Sequence, residues 1–279
     1  MSIQYNYKLL REILSKKRFN IHELDSVLHE LSDRVFNRLD FIKIEPKSIL
    51  ECGYGAGYDN QLLRNKFSNA EVYNLDIVKE NLPRNKSGIL NKLFTKAHGY
   101  QSIAANCLEI PLKSNSVDLI YANQVIPYID DIEKYIKEIF RVLNIGGTCL
   151  LSGLGVDSFK ELREYGLSTF RFPDMHDIGD MLLDAGFSNP VVDTEYLNIQ
   201  YDTLAQALND LRIVGAGAAN SPELRKYISK ECYKNIQDNL NQPISITLEI
   251  FVVHGWKDKI KLDLPDGVSP ISFNSKLVK

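Results

Sequence analysis

The spacing of apolar residues changes abruptly near residue 46. Before it, through residues 1–45, apolar positions recur at intervals of three and four. Leu24, Val27, Leu28, Leu31, Val35 and Leu39 would line one face of a helix. After it, short apolar runs predict strands: SIL at 48–50, EVYNLDI at 71–77, SIAAN at 102–106, VDLIYAN at 117–123 and TCLLSGL at 148–154. The fourth run is apolar enough for a strand covered on both faces. Helical patterns fall between the runs. YDNQLLRNKF opens a helix at 58, a polar and basic stretch at 78–101 reads as helix plus loop, and 129–143 is amphipathic. For that last helix, Gly146 or Gly147 in NIGG predicts a left-handed stop.

Strand and helix alternating in this way predict an α/β chain with a doubly wound parallel sheet. The second half departs from the alternation. A helix is predicted at 175–187, a strand at 190–201, a polar helical stretch at 203–239 and a long last strand at 244–256. The expected organisation is an N-terminal helical cover (1–45), a Rossmann-like core (46–202), a helical lid (203–243) and the final strand with a C-terminal tail (244–279).

Composition narrows the class. The 279 residues are 44% hydrophobic and 25% charged, enough for a sizeable core. A net charge of −3 gives no footprint for general nucleic-acid binding. No run reaches the roughly 18 apolar residues of a membrane span, and no secretory signal is visible. Cys52, Cys107, Cys149 and Cys232 lack CxxC spacing and read as reduced thiols of a cytoplasmic chain. His22, His29, His98, His176 and His254 lack metal-ligand spacing, so no metal is expected.

The candidate chemistry lies at the strand ends. Gly53, Gly55 and Gly57 follow the first strand, where a backbone must turn sharply or let a ligand approach. A dinucleotide fingerprint would place a third glycine at position 58, which is Tyr58. The spacing is instead E-x-G-x-G-x-G, led by Glu51. A carboxylate there would repel a pyrophosphate and suit a ligand with a positive head, such as S-adenosyl-L-methionine. Asp76, followed by Ile77, ends the second strand, where a carboxylate accepts from ribose hydroxyls. Asn106, followed by Cys107, is placed to read an adenine amino group, and Asn123 and Tyr128 face the same crevice from the fourth strand.

These residues resemble a class I methyltransferase. ECGYGAG stands where that class commonly has a DLGCGTG-like motif, and IPLKSNSVDLIYANQVIPYIDDIEKYIKEIFRVLNIGG is similar to its LPF…SFDLV…RVLKPGG pattern. SFKELRE, FRFPDMHDIGDMLLDAGFSNPVVDTE, LNDLRIVGAGAAN and ISITLEIFVVHGW narrow the resemblance to malonyl-acyl-carrier-protein O-methyltransferases of the biotin pathway, in their proteobacterial form. There are departures: Asn106 stands at a usually acidic position, and Tyr54 and Ala56 replace Cys and Thr.

The resemblance implies methyl transfer to the free carboxylate of a malonyl thioester on acyl-carrier protein. That carboxylate is ionised at neutral pH and needs no general base, but it must be held. An arginine fork suits it, with Arg163, Arg171 and Arg212 as candidates and Arg171 favoured. The acidic carrier implies a basic docking face, which composition does not show; helical spacing could put Arg225, Lys226 and Lys230 on one side, although a solvated helix face explains that charge better. Two other readings fit the sequence at this point: a complex I assembly-factor-like methyltransferase acting on a protein, and a cofactor-binding module without catalysis.

Overall fold

Among the described residues, seven strands form one sheet in the order β3-β2-β1-β4-β5-β7-β6. They are β1 (Ser48–Cys52), β2 (Glu71–Asp76), β3 (Gln101–Ala104), β4 (Val117–Ala122), β5 (Leu143–Leu154), β6 (Ser188–Tyr201) and β7 (Ile244–Lys257). This is a computed structural model that describes residues 7–15, 25–83, 101–163, 172–208, 230–239 and 243–258. β1 to β5 run parallel, whereas β7 lies antiparallel between β5 and β6. From β1 the chain builds outward to β2 and β3 on one side, then returns to build β4 and β5 on the other. The reversal opens a crevice at the carboxyl ends of β1 and β4, where open α/β sheets bind ligands.

Side chains alternate between the two faces of each strand, which gives two cores. On one face Ile49, Leu119, Tyr121 and Leu150 pack with Leu31, Val35 and Leu39. Leu31 and Val35 come from α2 (Asp25–Asn37) and Leu39 from the short turn that follows it. On the other face Leu50, Ile120 and Leu151 meet Tyr135, Ile136 and Ile139 of α4 (Ile132–Val142) and Ile178 and Leu182 of α6 (Met175–Ala185). Burial of each large aliphatic side chain stabilises by about 1.5–3 kcal/mol. That outweighs the ion pairs that also link α2 and the turn after it to β6, Arg34–Glu195 at 2.9 Å and Arg38–Asp193 at 2.6 Å, whose partly exposed geometry is worth about 0–1 kcal/mol each. The other labelled helices among the described residues are α1 (Tyr7–Ser15), α3 (Tyr58–Lys66), α5 (Lys160–Arg163) and α7 (Lys230–Asn239).

Caps set the helix boundaries. Asp131 caps α4 by accepting from the Lys134 N–H at 2.9 Å, and Asp174 caps α6 by accepting from His176 at 2.8 Å. Gly186, at φ +105°, closes α6. The expected glycine stop for α4 is corrected. Gly146 does have φ +81°, but the chain has already left the helix at Leu143 and entered β5. Lys257 supplies the stop instead: its buried ammonium donates to Phe140 O at 2.6 Å and Leu143 O at 2.7 Å. Those helix-end carbonyls would otherwise lack partners.

Most of the stretch expected as helix plus loop at 78–101 lies outside the described residues, as do Arg225 and Lys226 of the expected basic face. Of the expected lid, α7 is described and buries Ile236. Among the described residues no helix is long and apolar enough to cross a membrane, and no group of three or more His, Cys, Asp and Glu side chains is placed to hold a metal ion.

Candidate active site

The turn between β1 and α3 is built on left-handed backbone. Gly53, Gly55 and Gly57 have φ of +80°, +53° and +81°. A Cβ on Gly53 would lie 2.6 Å from Val125 Cγ2, and one on Gly57 would lie 2.5 Å from the Tyr54 hydroxyl. A Cβ on Gly55 would meet only Gly53 O, at 3.9 Å. The fold therefore excludes side chains at 53 and 57, whereas Gly55 faces open space. The turn is pinned to the end of β2: Gly53 and Tyr54 donate their N–H groups to Leu75 O at 2.8 and 3.1 Å, and Gly55 donates to Asp76 Oδ2 at 3.0 Å.

Beside this turn lies a cavity of about 240 Å³. Nine of the ten residues expected at a cofactor line it. Gly53, Gly55 and Gly57 form its floor; Asp76 and Ile77 come from the end of β2, Asn106 and Cys107 from the loop after β3, and Asn123 and Tyr128 from the segment after β4. α1 contributes Tyr7, Leu10 and Leu14, and α2 contributes Leu28, His29, Leu31 and Ser32. The Tyr7 hydroxyl bonds to the Asp130 carboxylate and ties α1 to the core.

Hydrogen bonds constrain what these side chains can do. Asp76 Oδ1 accepts from the Val78 N–H at 2.7 Å, while Oδ2 accepts from Gly55 and from Asn81 Nδ2 at 3.4 Å, so each oxygen holds backbone and Oδ1 keeps one further lone pair. Burial pushes its carboxyl up, against the pull of the Val78 and Gly55 N–H groups. Asn106 Oδ1 accepts from the Leu108 N–H at 3.0 Å, which turns the loop after β3. Asn123 is consumed internally. Its Nδ2 donates to Ser32 Oγ and Asp59 Oδ2, both at 3.1 Å, and its Oδ1 accepts from Ser152 Oγ at 2.7 Å. It ties α2, α3 and β5 together beside the cavity. Burial, and then the Asp76 charge, push the Tyr128 hydroxyl up to about 12, so it stays a neutral donor. Cys107 hydrogen-bonds the buried Cys52, and this contact with burial holds the Cys52 thiol well above its usual range.

Glu51 corrects an expectation. It does not line the cavity and is 1% exposed beneath the turn. Asn60 Nδ2 donates to its Oε2 at 2.8 Å and to Asn74 Oδ1 at 2.6 Å, while Glu51 Oε1 has no hydrogen-bond partner. Burial, with the nearby Asp59 charge, pushes its carboxyl well above the usual range. Glu51 therefore supports the turn from below and does not face a ligand. Among the arginines, Arg163 ends α5 with its side chain outside the described residues, and Arg171 and Arg212 lie wholly outside them.

A methyltransferase-domain family model matches residues 50–151. A malonyl-acyl-carrier-protein O-methyltransferase from Methylovorus sp. is 32% identical over 261 residues, 88% of each chain. The chain belongs to the malonyl-acyl-carrier-protein O-methyltransferase family. A Gallionella capsiferriformans member is 30% identical over 283 residues, 97% of each chain. Neither the protein-directed reading nor the non-catalytic one is favoured by these relatives. The fold is shared with the YcgJ protein of Bacillus subtilis (TM-score 0.55, 18% identity, 83% of this chain and 99% of that one). It is also shared with phosphoethanolamine N-methyltransferase 2 of Haemonchus contortus (TM-score 0.56, 16% identity, 90% of this chain and 61% of that one).

S-adenosyl-L-methionine is the methyl donor of this methyltransferase. The residues present fit it. The left-handed turn offers backbone at close range, open at Gly55, and Asp76 keeps acceptor capacity for hydroxyls. Among the described residues, the acidic side chains lining the cavity are Asp59 and Asp76, which suits a sulfonium and an ammonium. Asp59 went unnoticed in the sequence. It accepts from Tyr121 at 3.0 Å and from Asn123, and its carboxyl is raised by burial. Only its place one residue into α3, beside the glycines, would have marked it.

Proposed function

We propose that this methyltransferase esterifies the free carboxylate of a malonyl thioester carried on acyl-carrier protein, an early step of biotin synthesis. The observation that carries the reading is the cavity itself: a glycine turn, Asp76 and Asn106 on one side and an apolar cover from α1 and α2 on the other, in a chain whose relatives bear that activity in their names.

S-adenosylmethionine supplies the electrophilic methyl group. The protein's part is to bind, orient and exclude water. Asp76 has a lone pair left on Oδ1 to accept from a ribose hydroxyl, and Asn106 keeps its Nδ2 donor for the adenine ring. Leu10, Leu14, Leu28 and Leu31 give the cover an apolar inner surface that keeps water from the reacting groups. The malonyl carboxylate is already ionised near neutral pH, so the residues need not remove a proton. Holding two reactants in line supplies on the order of 7–11 kcal/mol of a barrier in well-oriented systems.

The test is growth without biotin of a bacterial strain that lacks its own malonyl-acyl-carrier-protein methyltransferase. Wild-type chain restores growth, and Gly55→Ala, which sets a methyl group on the cavity floor, restores it less well in a chain that still accumulates folded. Wild-type chain that accumulates in folded form yet fails to restore growth overturns the reading.

A further inference from the structure

The acceptor in this reading is an anion, yet the charged side chains Asp59 and Asp76 that line the cavity are both acids. A carboxylate brought between them needs a donor to offset that field. Among the described residues lining the cavity, His29 is the one side chain able to carry a positive charge, and imidazole offers an N–H in either protonation state. We propose that His29 is the residue that holds the acceptor's carboxylate at the reactive end of the cavity; this rests on the function proposed above.

The placement of His29 supports the assignment. Its ring stacks on Tyr58, with centroids 3.9 Å apart and planes 19° apart. Tyr58 donates its hydroxyl to Asp33 Oδ1 at 2.9 Å, so the stacking platform is itself fixed. The imidazole is thus oriented by packing, as a positioned donor must be.

Its flank is the reactive one. Asp76 and Asn106, suited to ribose and adenine, lie at the ends of β2 and β3. α2 lies over the other half of the sheet: Ser32 meets Asn123 after β4, and Arg34 reaches Glu195 on β6. A donor whose adenosine sat at β2 and β3 would extend its methionine and methyl toward β4, and His29, three residues before Ser32, lines the cavity on that side.

Two carboxylates reach this region, the acceptor's and that of the donor's methionine, and the experiment separates them. His29→Ala and His29→Arg are compared with wild type by calorimetric titration with S-adenosylhomocysteine and by initial rates with malonyl-acyl-carrier protein. Thermal melts establish that each variant folds. His29→Ala is expected to bind S-adenosylhomocysteine like wild type while its KM for the malonyl carrier rises by about 10- to 100-fold, the scale of a lost charge-assisted hydrogen bond. His29→Arg recovers most of the KM, which a purely structural role would not produce. Weakened S-adenosylhomocysteine binding with unchanged KM overturns the proposal and assigns the imidazole to the donor. No change in either quantity also overturns it. Wild-type chain that binds S-adenosylhomocysteine but methylates no malonyl carrier overturns the functional reading, and the proposal with it.

Discussion

The Asp76 carboxylate accepts the backbone N–H of Gly55 at 3.0 Å, so the acid that ends β2 holds the turn that follows β1. One side chain therefore shapes the floor of the cavity and presents acceptors to it. Asp76→Ala removes both functions and leaves the Gly55 and Val78 N–H groups without that partner. Each orphaned group costs about 1–3 kcal/mol. Calorimetric titration with S-adenosylhomocysteine is expected to show affinity reduced by about 10- to 100-fold or more.

The glycines separate fold from binding. Gly57→Ala sets a Cβ 2.5 Å from the Tyr54 hydroxyl at φ +81°, and the strain lowers stability by about 1–3 kcal/mol. Gly55→Ala meets no comparable clash, since nothing lies nearer its Cβ than Gly53 O at 3.9 Å, and its cost is the strain of φ +53° alone. It is expected to lose less stability than Gly57→Ala while binding S-adenosylhomocysteine more weakly. Thermal melts and calorimetry on both variants check the contrast.

Glu51 makes stability depend on pH. Its carboxyl titrates above the ordinary value of 4.5 in the folded chain, so the folded state holds a proton that the unfolded state has released. Stability from this group is therefore lost as pH rises from 4.5 through the raised value. Glu51→Gln keeps the shape and removes the ionisation. It is expected to melt higher than wild type at about pH 8 and to narrow the difference between about pH 5 and about pH 8. Asp59 and Asp76 are raised by burial too, so part of the decline persists in the variant.

Lys257 is a distant cap. It is 4% exposed and binds Asn115 Oδ1 at 2.7 Å besides the two carbonyls at the end of α4. Lys257→Met leaves those carbonyls unpaired, at about 1–3 kcal/mol each. Urea titration is expected to show a lower midpoint, with S-adenosylhomocysteine binding retained under native conditions.

Much of the fold could be read from the sequence because its signals are local. Strand runs such as EVYNLDI and the α4 period depend on near neighbours, and β2 and α4 form where those patterns stand. The glycine turn was legible for the same reason: its φ values are a property of the residue type. The less legible features are pairings across long stretches of chain. Nothing in the spacing shows that Lys257 reaches Phe140, 117 residues away, so Gly146 was the natural stop to expect. Nor does it show that Ser152 and Ser32 converge on Asn123 and occupy its amide. Glu51 has the right residue type at a strand end, but which side of the turn it faces depends on Asn60 and Asn74, which arrive from α3 and β2. His29 stands one residue from an apolar stripe and carries no motif; its meaning depends on Tyr58 of α3, which stacks on its ring.

The most direct test of the account is the intact mass of malonyl-acyl-carrier protein after incubation with this methyltransferase and S-adenosylmethionine. The account predicts that the malonyl carrier gains the mass of one methyl group, while acetyl-acyl-carrier protein, which has no free carboxylate, is unchanged. An unchanged malonyl carrier, in the presence of folded enzyme that binds S-adenosylhomocysteine, would contradict it.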